Sequence, residues 1–256
     1  EIPLSEAFWT LIGGALAAGA AGIVNQVIER DLDAKMDRTG HRPLANGRIP
    51  VPNALAFALG LLAVAFTMQA FMVNVLAAVL TLLAVVLYVF VYTLWLKPTT
   101  PQGVVIGGAA GSMPALVGWA AVTGDLGLPA LLLGLLVFLW QPPHFWALAI
   151  ARKDDYEAAG FPMMPSVKGF EHTKRQMVLY TLATVLAAAA LYQWTPLGMI
   201  YLVTSTVLGV LFLAATLNIR AEGGKAQARS LFTVSIAYLG MVFLAIALDR
   251  LAPLLL

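Results

Sequence analysis

Four oxygen-bearing residues recur at a spacing of four: Asn25, Glu29, Asp33 and Asp37. The segment runs straight on from an apolar stretch, so a helix is expected as far as Gly40. Residues four apart share a helix face, and the spacing therefore predicts one slowly rotating stripe of oxygen donors. Neighbouring carboxylates repel each other and need a counter-charge. Hard donors of this kind suit Mg²⁺, which is held by one or two carboxylates together with substrate phosphates. Arg30, Lys35, Arg38 and Arg42 interleave with the stripe, and the arginine fork is suited to phosphate. Acids for a metal beside arginines for a phosphate point to metal–diphosphate chemistry. The plainer alternative is a solvated helix beside a membrane whose charges keep it soluble. That alternative accounts poorly for Asn25, a polar residue at the apolar border where such side chains are costly.

A second group lies between residues 140 and 165. Pro142 and Pro143 are expected to break or kink a helix, with Trp140, His144, Phe145 and Trp146 around the break. An imidazole there would ligate a metal, move a proton, or bond a carbonyl freed by the prolines. Asp154, Asp155 and Tyr156 follow beside Arg152 and Lys153. They form either an internally paired surface cluster or a second carboxylate set facing the first across a polar cavity. Pro162 and Pro165 exclude regular helix from the next stretch, which would serve as a lid or cavity wall. Lys97 adds a cation, and the small residues Gly107 to Ser112 are expected to pack helices closely.

The elements that must position these residues cross a membrane. Hydrophobic residues make up 61% of the 256 and charged residues 11%, where a soluble domain carries about 25%; mean hydropathy is +0.86. No Asp, Glu, Lys or Arg occurs in 49–96 or 176–219, and Asp125 alone interrupts 98–151. Each run is about twice the length of one span, so each is a helical hairpin. The expected turns are Met72 to Asn74, Gly124 to Gly127 and Trp194 to Pro196. Single segments at 7–24 and 230–248 bring the total to eight spans. In hydrocarbon only helices or closed barrels satisfy the backbone, and the lack of strict alternation favours helices. The fold class is all-α: a polytopic bundle forming a single domain over 1–256, with a polar cavity on one face.

Of the 15 Lys and Arg residues, 14 fall on alternate loops, and only Arg250 lies on the other side. That bias places the loops after spans 1, 3, 5 and 7 in the cytoplasm and the protein in the inner (plasma) membrane. With no cysteine, disulfides and thiolate metal sites are excluded. The chain begins at Glu1 without a basic leader, so no signal peptide is expected and the amino end is expected to be truncated.

The stretches NQVIERDLDAKMDRTGHRPL, TPQGVVIGGAAG, GWAAVTG, PPHFWALA and KDDYEAAGFPMMP resemble the UbiA superfamily of intramembrane prenyltransferases, and within it the protoheme IX farnesyltransferase (haem O synthase) branch. The resemblance implies transfer of a farnesyl group from farnesyl diphosphate to a vinyl group of haem B. It implies Mg²⁺ on Asn25, Glu29 and Asp33, with Asp155 from a second motif. Arg30, Arg38, Arg42, Lys97 and Lys153 would lie near the diphosphate, and His144 and Tyr156 near haem. A haem A synthase would take the product downstream; the other partner is the lipid bilayer, and no nucleic acid is implied. Two departures stand out. Ala151 occupies the place of an acid in the wider superfamily's second motif, so Asp154 would substitute. The family usually has nine spans against eight here, which would fit loss of the first helix. The competing readings are a related enzyme prenylating an aromatic or quinone precursor, and a secondary transporter; the latter expects acids at mid-membrane, whereas these acids sit at one interface.

Overall fold

The computed structural model describes residues 4–37, 39–158, 160–221 and 224–255, and side chains as far as residue 251. Every regular element among the described residues is helical. The helices are α1 (Leu4–Asp33), α2 (Val51–Met72), α3 (Val75–Thr99), α4 (Gly103–Thr123), α5 (Leu128–Ala151), α6 (Lys153–Ala158), α7 (Met164–Val167), α8 (Phe170–Trp194), α9 (Met199–Asn218) and α10 (Gly224–Leu255). Eight of them are long and apolar enough to span a bilayer, and the three expected hairpin turns fall between helices. At the α4–α5 turn the Asp125 carboxylate accepts from Trp119 Nε1, Thr123 Oγ1 and the Gly127 N–H. Those bonds, Trp119's first, hold its pKa below the usual carboxylate value.

The chain divides into two compact units. The first comprises residues Glu1–Ala130 and Asp154–Pro162. Within it α1 packs on α2 and α3 on α4, and α1 also meets α3 and α4. The contacts are made by small residues: Ala17, Ala21 and Ala65 close around Val85 and Val89, and Ala77, Ala120 and Ala121 around Leu80, Met113 and Val117. Lipid is as apolar as leucine, so close packing holds membrane helices together, and small side chains permit it. Large apolar residues such as Leu11 and Phe71 point outward instead.

Asn74 fastens the α2–α3 hairpin. Its Oδ1 accepts from Ala77 N at 2.8 Å, capping α3, and its Nδ2 donates to Ala120 O at 2.8 Å on α4. Asn74→Ala removes the cap and the cross-helix bond together. The expected loss is about 1–3 kcal/mol, read as a lower unfolding temperature in detergent. The same change at exposed Asn53 should fall within about 0.5 kcal/mol of wild type; equal effects at both positions would contradict this account.

Two local expectations are corrected. First, α1 ends at Asp33 rather than near Gly40, and residues 34–37 and 39–48 are mostly turns. Carboxylates disfavour the negative end of a helix dipole, and Asp31, Asp33 and Asp37 all crowd this terminus. The chain reverses instead, with Thr39 Oγ1 donating to Asp33 O at 3.1 Å. Second, Pro142 and Pro143 do not break α5, which runs on through both. The pair lacks only the two N–H groups that would serve the carbonyls of Phe138 and Leu139, and transmembrane helices tolerate such losses.

The second unit comprises Leu131–Lys153 and Met163–Leu256. Here α9 packs on both α8 and α10. Trp146, Tyr201, Phe212 and Tyr238 are fully buried, with Phe212 and Tyr238 rings 5.3 Å apart. Asp249 accepts from Gly198 N and Tyr201 N, both at 2.8 Å, and so caps the start of α9.

Candidate active site

Asn25, Glu29 and Asp33 are all buried, at 7%, 6% and 3% exposure, on one face of the last turns of α1. Asp37 lies beyond the helix end and is exposed, so the stripe is three residues long rather than four. Arg30 is exposed and paired with its neighbour Asp31 at 3.3 Å; the structure does not bring it to the stripe. Arg38 lies outside the described residues.

Each buried carboxylate holds one cation. Lys97 Nζ sits 2.5 Å from Glu29 Oε1, and Arg42 Nη1 2.7 Å from Asp33 Oδ2. Asn25 Nδ2 donates to Thr93 Oγ1 at 3.3 Å, which leaves its amide oxygen available to a metal ion. Lys97 and Thr93 come from α3, whose stretch Leu87–Leu96 is a π-helix. That form is rare and is found mostly at functional sites. It also sets Tyr88 within electrostatic reach of Glu29 and Arg42, and Tyr92 within reach of Glu29 and Tyr156. The Tyr92 ring lies against Gly107, where an added Cβ would stand 2.3 Å from Cδ2. The glycine stretch of α4 is thus a packing device, as expected.

The second loop reaches the same place through Phe161, a side chain that spacing did not single out. The Phe161 ring lies 4.6 Å from Lys97 Nζ and meets Tyr156 edge-on at 6.4 Å. Gly160, at φ +74°, turns the chain so that Phe161 N donates to Tyr156 O at 3.0 Å. A cation over an aromatic face beside a buried carboxylate is fixed from two directions. Asp154 and Lys153 are exposed and Asp155 half-buried, and each is engaged in an interaction. Among the described residues, no three His, Asp or Glu side chains converge as a metal cluster. The structure therefore does not draw Asp154 and Asp155 into one group with Glu29 and Asp33. What α1 offers is two buried carboxylates and an amide, a donor set that fits Mg²⁺ completed by phosphate oxygens. Ala151 is buried at the end of α5 and offers no donor.

In the second unit His144 is buried at 7% exposure. It bonds no freed carbonyl. Its Nδ1 lies 2.8 Å from Ser235 Oγ, and its ring is stacked between Trp140 and Phe232, each at 4.4 Å. Spacing could not have found Ser235 and Phe232, which lie on α10 about 90 residues away.

Residues 1–246 match the UbiA prenyltransferase family. The chain is 52% identical over 243 residues to a protein of Haloarcula marismortui named protoheme IX farnesyltransferase, covering 95% of this chain and 52% of that one. It is 45% identical over 241 residues to a protein of the same name from Gloeobacter violaceus, covering 94% and 79%. The chain thus spans about half the length of the first of these relatives and four-fifths of the second. In fold it is similar to a UbiA homologue from Archaeoglobus fulgidus whose structure holds DMAPP and Mg²⁺, with a TM-score of 0.66, 18% identity and coverage of 95% and 88%.

Proposed function

The chain belongs to the UbiA prenyltransferase family, and from that premise we propose that it transfers the farnesyl group of farnesyl diphosphate to a vinyl group of haem B, making haem O. The observation that carries the reading is the buried Asn25–Glu29–Asp33 stripe, each carboxylate matched by a cation. The choice of haem over an aromatic or quinone precursor is supported by relatives named protoheme IX farnesyltransferase at 45–52% identity. The protein is a multi-pass membrane protein. We place it in the inner membrane with the stripe in a polar cytoplasmic-side cavity, residues 1–256 acting as one domain.

Asn25, Glu29 and Asp33 would hold one Mg²⁺, and Asp154 and Asp155, which do not converge with them, are proposed for a second. Bound there, Mg²⁺ would supply Lewis-acid neutralisation of the diphosphate oxygens. Arg42 and Lys97, already beside the carboxylates, stabilise negative charge as it develops on the leaving group; Arg30, Arg38 and Lys153 are the further cations proposed for the diphosphate. The C–O bond breaks, diphosphate departs with the electron pair, and the allylic cation is attacked by the vinyl carbon. Water adds to the resulting cation and loses a proton, completing the hydroxyethylfarnesyl group. His144 and Tyr156 are the proposed haem contacts, and a haem A synthase the downstream recipient.

The test is to incubate the purified protein in detergent with Mg²⁺, farnesyl diphosphate and haem B, and to look for the mass of haem O. Absence of that mass overturns the assignment. A prenylated quinone precursor formed in its place, when one is supplied, would favour the other UbiA chemistry.

A further inference from the structure

His144 is held more tightly than packing requires. Trp140 and Phe232 stack on its two faces at 4.4 Å with interplanar angles of 22° and 23°, and Phe145 meets its edge at 5.1 Å. Ser235 fixes the proton. Its hydroxyl donates to Phe232 O at 2.7 Å, and a hydroxyl has one proton to give. The 2.8 Å contact between Ser235 Oγ and His144 Nδ1 is then satisfied only if Nδ1–H donates. Trp140 Nε1 donates to Ser235 O at 2.7 Å, tying the stacking ring to the same turn of α10. The neutral ring therefore carries its lone pair on Nε2. Nε2 has no hydrogen-bond partner among the described residues, and it is not among the polar atoms sealed from all contact. An imidazole with one nitrogen anchored through N–H and the other left open is the arrangement of a metal-ligating histidine.

We infer that His144 Nε2 is an axial ligand to the iron of a porphyrin substrate, and that Ser235, Trp140 and Phe232 are positioning residues that fix its tautomer and ring plane. This rests on the haem reading above and deepens it, by naming the atom that meets the substrate and the side chains that aim it. Without Ser235 the ring loses its acceptor at Nδ1, and the tautomer with its proton on Nε2 cannot bind iron through Nε2. Anchoring groups of this kind change metal affinity by about 10–100-fold.

The experiment titrates ferric haem B into the detergent-purified protein, without farnesyl diphosphate, and follows the Soret band and the electron paramagnetic resonance spectrum. Wild type should show nitrogen ligation. His144→Ala should lose it while keeping an unfolding temperature close to that of wild type, which a misfolded protein would not show. Ser235→Ala should weaken haem binding by roughly 10–100-fold, and Ser235→Thr, which keeps the hydroxyl, should restore it. A His144→Ala spectrum identical to that of wild type overturns the inference, as does a Ser235→Ala affinity equal to that of Ser235→Thr. The two readings separate cleanly. Haem O formed without His144-dependent ligation removes this inference and leaves the activity, whereas His144-dependent ligation without haem O removes the activity and leaves the ligand.

Discussion

Asp33→Asn should lower haem O formation by roughly 10²–10³-fold, whereas Asp37→Asn should leave it within about twofold. The two changes are chemically identical and four residues apart, so the contrast isolates position. Asp33 is 3% exposed, bonded to Arg42 at 2.7 Å and set at the negative end of α1. Nothing about helix stability favours a carboxylate there. A residue that breaks a local rule without a local gain marks a functional site. The substituted amide would keep the shape and still accept from Arg42, so the fold should survive, as an unfolding temperature close to wild type would show. What it loses is the charge that binds a metal. If Asp33→Asn turns over at the wild-type rate, the stripe is structural and the proposed site is wrong.

The spans, their number and their turns were legible because charge is expensive in hydrocarbon, and a helix there must run for about 20 residues. Met72 to Asn74 and Trp194 to Pro196 could be placed because each lies near the middle of a charge-free run about twice that length. The stripe was legible for a different reason: its spacing matches the helix period. The same periodicity could not show that α1 stops at Asp33, since the reversal depends on Thr39 and Arg42 folding back onto one residue. Nor could it show the π-helix of α3. Residues 87–96 are apolar apart from Tyr88, Tyr92 and Thr93, and an almost uniformly apolar run carries no phase from which a wider turn can be read. Lys97 could be placed on the correct face, yet its partner Glu29 lies 68 residues earlier. Phe161 was hidden altogether, because a loop aromatic over a distant ammonium leaves no local pattern.

The pairing of Glu29 with Lys97 and of Asp33 with Arg42 leads to a result that a bare carboxylate site would not give. Two acids and two cations sum to zero charge, and a divalent ion would raise the group to +2. To bind alone, Mg²⁺ would have to displace Lys97 and Arg42 and leave both without an anion. Breaking a buried pair in this way costs about 3–5 kcal/mol. Inorganic diphosphate removes the obstacle, since its oxygens take the released cations while the carboxylates turn to the metal. Wild-type protein should therefore gain little thermal stability from Mg²⁺ alone and substantially more from Mg²⁺ with diphosphate, about 2.7 kcal/mol when the pair is present at 100 times its dissociation constant. Lys97→Met should reverse the pattern. Glu29, at 6% exposure, would be buried without a counter-charge, destabilising the protein by about 3–5 kcal/mol. Mg²⁺ alone would then restore much of that loss, and diphosphate would add little. Arg42→Met should behave in the same way but more weakly, because the Arg42 side chain is 28% exposed against 18% for Lys97 and water already screens it. Unfolding temperatures measured with Mg²⁺, with diphosphate and with both decide the matter. Equal stabilisation of wild type by Mg²⁺ alone and by the pair would show that the two cations do not guard the metal site.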